Sequence, residues 1–208
     1  MKWFEKVLAA AVLGPIFPIL GVIFSWWGSL AFLPGTSPLP FVLAGLSLGI
    51  LVDIVFLRRW AESAYSIHWI VWMAVYIFYA AGLFGMFMGV PVFNLILSVP
   101  AGFFIGSRLA RKTADHDVVK RMNRKTCVFT TGVLAAVCVL SAVIALVDPY
   151  TSLDLQRMLG LQFEVTRLML AGVIATGGIA LLLLQWGMTS KVIHLTYALM
   201  QTNSSALR

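Results

Sequence analysis

Six apolar runs, at about 7–27, 41–57, 67–88, 90–107, 126–147 and 167–187, account for most of the 208-residue chain. Each is near the ~20 residues that a helix needs to cross ~30 Å of hydrocarbon. Lipid offers no partner to a free backbone amide or carbonyl, so a spanning segment must satisfy its own hydrogen bonds as a helix or in a closed barrel. The runs are too long and too continuously apolar for barrel strands. The sequence therefore predicts an all-α polytopic membrane protein, a six-helix bundle forming one transmembrane domain over 1–208. With 61% hydrophobic and 11% charged residues, the chain has too few polar side chains to cover a soluble globule.

Charge sets the expected orientation. If the chain threads a bilayer six times, Lys2, Lys6, Arg58, Arg59, Arg108, Arg111, Lys112, Lys120, Arg121, Arg124, Lys125, Lys191 and Arg208 share one face, and only Arg157 and Arg167 lie opposite. Cytoplasmic loops carry the Lys and Arg excess, which predicts N-in and C-in topology and residence in the plasma (inner) membrane. The net charge of +7 sits beside helix ends, where it meets anionic lipid headgroups at the inner face. No basic surface stands away from the membrane, which argues against nucleic acid as a partner.

The start Met1-Lys2-Trp3-Phe4-Glu5-Lys6 resembles a signal peptide, but the following run is long and lacks a small-x-small cleavage site before Gly28. The first helix is expected to be retained. Cys127 and Cys138 are eleven residues apart on one helix, roughly 16 Å, too far to pair with each other, and read as small packing residues. Asn203-Ser204-Ser205 matches a glycosylation pattern on the expected inner side, where it carries no weight.

The links are uneven. Gly28 to Pro40 has no charge and three prolines and contains Leu30, Phe32 and Leu33, so it is expected to fold back over the bundle mouth. Gly89 alone links the third and fourth runs, which predicts a tight hairpin. The inner stretch Arg108 to Lys125 suits a solvated helical extension. Beyond Asp148-Pro149, Ser152 is placed to cap a short interfacial helix carrying Leu155, Met158, Leu159 and Phe163. After Gly187 the tail suits a helix leaving the membrane or lying on its inner surface.

The fourth run is the most irregular. Pro91 and Pro100 remove backbone donors, and each crowds the carbonyl four residues earlier, in a helix that also carries Asn94 and Ser98. Two readings stand side by side: Pro91 starts the helix, Pro100 kinks it and Asn94 bonds a neighbouring helix, or Asn94 and Ser98 face a polar binding site. The first run has a similar interruption, Gly14-Pro15-Ile16-Phe17-Pro18. In a chain of three plus three helices these two interruptions occupy matched positions, which allows an inverted repeat with a central site at kinked helices 1 and 4. Chance is the competing account, since proline is common in membrane helices.

Asp53 is the only acidic residue inside an apolar run, about 7 Å short of Arg58 along the helix. It is the candidate for ion or proton coupling, against a local ion pair near the inner headgroups. Trp72, Tyr76 and Tyr79 recur at helical spacing, so the phenols of Tyr76 and Tyr79 join Asn94 and Ser98 as substrate-binding candidates, against plain core packing. Three glycine pairs, Gly45/Gly49, Gly85/Gly89 and Gly102/Gly106, predict close contacts that would make the second, third and fourth helices the tight core. Trp3, Trp26, Trp27, Trp60, Tyr65, Trp69 and Trp186 read as interfacial anchors.

His68, His116 and His194 lie at no metal-ligand spacing, so no metal site is expected and no cofactor is implied. No nucleophile elbow, phosphate loop or intramembrane carboxylate cluster is present. This argues against catalysis, and no catalytic residue is assigned.

In size, helix count and the Ala9-Ala10-Ala11 opening of the first run, the chain resembles the substrate-capture subunits of energy-coupling-factor vitamin transporters. The resemblance covers architecture and these small residues, and no binding residue carries over from it. Polar residues that are few but gathered at kinked helices point to a small-solute transporter or capture subunit. The alternatives are a non-catalytic accessory or structural subunit of a membrane complex, a channel, and a membrane-embedded enzyme. A homo-oligomer or a membrane partner subunit fits the glycine pairs.

Overall fold

The computed structural model describes residues 3–33, 35–63, 68–111, 115–160 and 162–205. Among them the chain is all-helical: α1 (Trp3–Leu13), α2 (Ile16–Phe32), α3 (Leu39–Ser63), α4 (Trp69–Met86), a 3-10 helix (Pro91–Leu97), α5 (Ser98–Arg111), α6 (His116–Val147), α7 (Thr151–Leu159) and α8 (Arg167–Ser205). Six stretches are long and apolar enough to cross a membrane, namely Lys6–Phe32, Leu39–Trp60, Trp69–Met86, Pro91–Arg111, His116–Val147 and Arg167–Gln201. The molecule is an integral membrane protein by this measure. Large apolar side chains such as Phe24, Ile54, Val139 and Leu183 are exposed along these spans, as lipid-facing positions must be. Lys2, Tyr65, Lys112 and Arg208, with the side chains of Trp3, Met158, Leu159 and Asn203 to Ser205, lie outside the described residues.

Two helices outrun their apolar segments. α6 begins at His116, ten residues before the fifth apolar run starts at 126, because nothing between Asp115 and Val147 breaks a helix. Asp117 and Arg121, four apart with the acid first, support that polar start. α8 continues past Gly187 to Ser205, so Trp186 sits mid-helix and not at a helix end as an anchor would.

Residues 1–72 and 73–208 form two compact units. In the first, α2 and α3 pack along most of their length, with α1 also against α3. The contact is backbone on backbone. A Cβ on Gly21 would run into the carbonyl oxygen of Gly45, and one on Gly49 would meet the Phe17 carbonyl oxygen at 2.5 Å and Pro18 Cα at 2.6 Å. Trp60 closes this end by stacking on Phe17 at 4.9 Å and on Phe56 at 5.5 Å. The first residues of the Gly28 to Pro40 link are helical. Apolar residues without a breaker let α2 run on to Phe32, leaving Phe32 84% exposed, and Gly35 turns the chain with φ +92° before α3.

In the second unit α8 is the central element, packed against α5 and α6, and the 3-10 helix lies on α5, α6 and α8. Gly102 and Gly106 let α5 touch α8: a Cβ on Gly102 would sit 2.8 Å from Val192 Cβ, and one on Gly106 would sit 2.8 Å from the Ile193 carbonyl oxygen. The glycine contacts thus pair α2 with α3 and α5 with α8, in place of a core built from the second, third and fourth spans. Gly85 has open space around it and Gly89 serves the turn after α4 with φ +82°. Ser152 does not cap α7, whose N-cap position, Tyr150, has no side-chain cap bond; just ahead of the helix the Asp148 carboxylate accepts from the Tyr150 amide at 3.0 Å and the Thr151 hydroxyl at 3.2 Å. Gly160 ends α7 in the left-handed conformation.

Candidate functional site

The prolines of the fourth span act differently from one another. Pro91 opens the 3-10 helix, where its missing N–H costs nothing, and Pro100 cannot offer the donor that an α-helix would bring to the Ile96 carbonyl. Upstream of Pro100 the chain keeps the tighter 3-10 winding to Leu97, and the Ser98 amide turns to the carbonyls of Leu95 and Ile96. This break carries Asn94 and Ser98 into the interior of the second unit, at 3% and 0% exposure. The Ser98 hydroxyl donates to the Leu95 carbonyl at 2.6 Å. The Asn94 amide makes no hydrogen bond at either Nδ2 or Oδ1.

Sequence reasoning missed the rest of this polar seam. Gln185, Thr189 and Thr196 on α8, Thr130 on α6 and Ser107 on α5 are all buried. Gln185 Nε2 donates to the Tyr76 hydroxyl at 3.0 Å, and the Thr130 and Thr189 hydroxyls lie 3.3 Å apart. Gln185 Oε1, Ser107 Oγ and Thr131 Oγ1 are buried without a hydrogen-bond partner. Gln185 sits two residues before the apparent end of the last apolar run, where an amide reads as a headgroup contact. The available signal was the spacing of Gln185, Thr189 and Thr196, which share one face of an uninterrupted helix.

The glycine contacts give the seam its register. Gly102 meets Thr189 and Val192, and Gly106 meets Ile193 and Thr196, so α5 and α8 run in the same direction. One turn before Gly102 on α5 is Ser98, and one turn before Thr189 on α8 is Gln185, which brings the two to one level. Asn94, four residues before Ser98 in the 3-10 helix, lies about 8 Å further along. Tyr76 packs its ring against Phe129 at 5.3 Å, beside its bond to Gln185. Tyr79 is half-buried with its ring edge-on to Phe78 at 5.5 Å.

Asp53, Pro15 and Pro18 belong to the first unit. On α3, Gly45, Gly49, Asp53 and Leu57 are four apart and share a face; Gly45 meets Gly21, Gly49 meets Phe17 and Pro18, and Leu57 meets Gly14. Asp53 therefore lies at the level of the Gly14–Pro15 break. Its Oδ1 is buried and has no hydrogen-bond partner.

Two further clusters complete the chemistry. Asn123 ties α6 to α8, donating to Ser190 Oγ at 2.9 Å with its amide nitrogen 3.3 Å from His194 Nε2, and the Cys127 thiol reaches Asn123 Oδ1 at 3.5 Å. On the exposed face of α6, Lys120, Arg121, Arg124 and Lys125 line an open groove of about 590 Å³ with Asp117 and Val128. Among the described residues no group of three or more His, Cys, Asp or Glu side chains could hold a metal ion.

No family model, curated protein or solved structure matches the chain.

Proposed function

We propose that this protein is a membrane carrier, or the solute-capture subunit of one, that binds a small polar solute at the seam of the second unit. The observation that carries the reading is Asn94, buried at 3% exposure with neither amide atom partnered. A buried amide left unsatisfied is costly, more so where lipid surrounds the protein, and a solute that completes its hydrogen bonds removes that cost. Ser98, Tyr76 and Gln185 converge on the same level and supply further polar groups. Tyr79, one turn along the same helix from Tyr76, remains a candidate wall residue.

The proposed orientation is N-in and C-in, in the plasma membrane, on the charge bias of the loops. Basic side chains at the inner face, Lys120 to Lys125 foremost, would then meet anionic headgroups. The interruptions at Gly14–Pro15 and at Leu97–Ser98 support a three-plus-three inverted repeat. Asp53, level with the first of these, is proposed as the ion- or proton-coupling residue.

The test is thermal unfolding of the purified protein against a panel of metabolites, for the natural chain and Asn94→Ala. A ligand that binds only the folded state raises the midpoint by mass action. A solute-induced rise that Asn94→Ala abolishes, with folding nearly intact, supports the carrier. No rise with any solute, together with a loss of roughly 0.6 to 2 kcal/mol in Asn94→Ala, makes the seam purely structural.

An accessory or structural subunit is the second reading, favoured by one observation. Gly172, Thr176 and Ala180 form an exposed small-residue stripe on α8, with open space around Gly172, of the kind that seats a partner helix.

A further inference from the structure

The apolar stretches of the second unit contain no charged residue and no histidine. Residues 73–107, 126–147 and 168–190 lack Asp, Glu, Lys, Arg and His altogether. The groups buried there are amides and hydroxyls: Asn94, Ser98, Ser107, Thr130, Gln185 and Thr189. A charged solute entering such a seam would give up its hydration and find no countercharge, a far larger penalty than burying a neutral polar group that gains hydrogen bonds. The unused capacity is also two-sided. Asn94 Nδ2 can donate, and Asn94 Oδ1 and Gln185 Oε1 can accept.

We infer that the solute is uncharged and carries both hydrogen-bond donors and acceptors, as an amide, a polyol or a nucleobase does. This inference rests on the carrier reading and narrows it. The amide pair Asn94 and Gln185 would complement such a solute from two elements, the 3-10 helix and α8. The tilted aromatic pair Tyr76 and Phe129 adds an apolar wall beside the phenol. Discrimination follows from the same physics: a site whose buried amides need partners rejects an apolar analogue of equal shape, because binding it leaves them unpaired.

The experiment is thermal unfolding of the full-length protein in detergent with three probe sets at equal concentration. The first holds polyols, primary amides and free nucleobases; the second holds monocarboxylates and phosphate monoesters; the third holds primary and quaternary amines. The expected result is a raised midpoint with at least one uncharged probe, an apparent affinity about tenfold or more weaker in Asn94→Leu and in Gln185→Leu, and no change in Ser47→Ala on α3. If Gln185→Leu does not fold, Gln185→Met and Thr130→Val keep the volume and read the same loss. A carboxylate, phosphate or amine that raises the midpoint in a manner lost in Asn94→Leu would leave the carrier standing and overturn the uncharged class. Silence in all three sets would overturn the carrier reading and this inference with it.

Discussion

Gln185 donates its amide to the Tyr76 hydroxyl at 3.0 Å, joining α8 to α4 across 109 residues of sequence. The bond is made where Gln185 is fully buried and leaves its Oε1 unpartnered. In hydrocarbon the alternative to such a bond is an unsatisfied phenol or amide, yet the unfolded chain in the membrane also finds partners, so the net value is modest. Tyr76→Phe is expected to destabilise the protein by about 0.6 kcal/mol and by no more than ~1.7 kcal/mol, measured by unfolding in detergent. A double-mutant cycle with Gln185→Leu that shows no coupling would remove this bond from the account.

The glycine contacts predict unequal costs for one substitution. Gly106→Ala places a methyl 2.8 Å from the Ile193 carbonyl oxygen and from Thr196 Cβ, so α5 and α8 must separate, at about 1–3 kcal/mol. Gly85→Ala and Gly172→Ala meet open space and should be neutral or stabilising by up to ~1 kcal/mol through helix propensity. Equal midpoints for Gly106→Ala and Gly85→Ala would contradict the α5–α8 contact.

Asn94→Leu removes two buried polar atoms that have no partner and keeps a similar volume. The expected outcome is a gain in stability of about 1 kcal/mol, read as a higher unfolding midpoint without solute. A stability gain that comes with loss of solute binding is the usual trade at a functional position. A loss of 2 kcal/mol or more would instead mean that Asn94 is satisfied by the protein.

Asp53→Asn replaces a carboxylate whose Oδ1 is buried and unpartnered. If Asp53 couples transport to protons, uptake into proteoliposomes by Asp53→Asn should lose its dependence on a pH gradient, while the solute-induced thermal shift persists. Gradient-dependent uptake by Asp53→Asn would end the coupling role.

Orientation is read by labelling exposed positions on two links. In a Cys127→Ala, Cys138→Ala background, Ser37→Cys and Asp117→Cys are both exposed and should react from opposite sides of the membrane. Reaction of both from one side would refute the six-span thread.

The number and type of spans were legible because lipid imposes a length and an apolar composition on any crossing helix, and both are local properties. The breaks near Pro15 and Pro100 were legible for a similarly local reason, a missing N–H. Asn94 was legible as a polar residue beside such a break. Gln185, Thr189 and Thr130 were not, because in a membrane protein the outside is as apolar as the core, so hydropathy does not say which face of a helix turns inward. α6 and α8 run ten and eighteen residues beyond their apolar runs, in line with the helical extension expected before residue 126 and the helix expected after Gly187, because hydropathy marks the apolar segment and not the helix.

The sequence by itself determined that the chain is all-helical, has six stretches long and apolar enough to cross a membrane and keeps charge out of residues 73–107, 126–147 and 168–190. Those properties follow from composition over one helix length. Only the tertiary structure decided that Gly45 and Gly49 seat α2, that Gly102 and Gly106 seat α8, and that Gln185 comes to the level of Ser98 and bonds Tyr76. Which helices meet depends on where two smooth surfaces can approach to backbone contact, and that is a property of pairs of segments far apart in the chain.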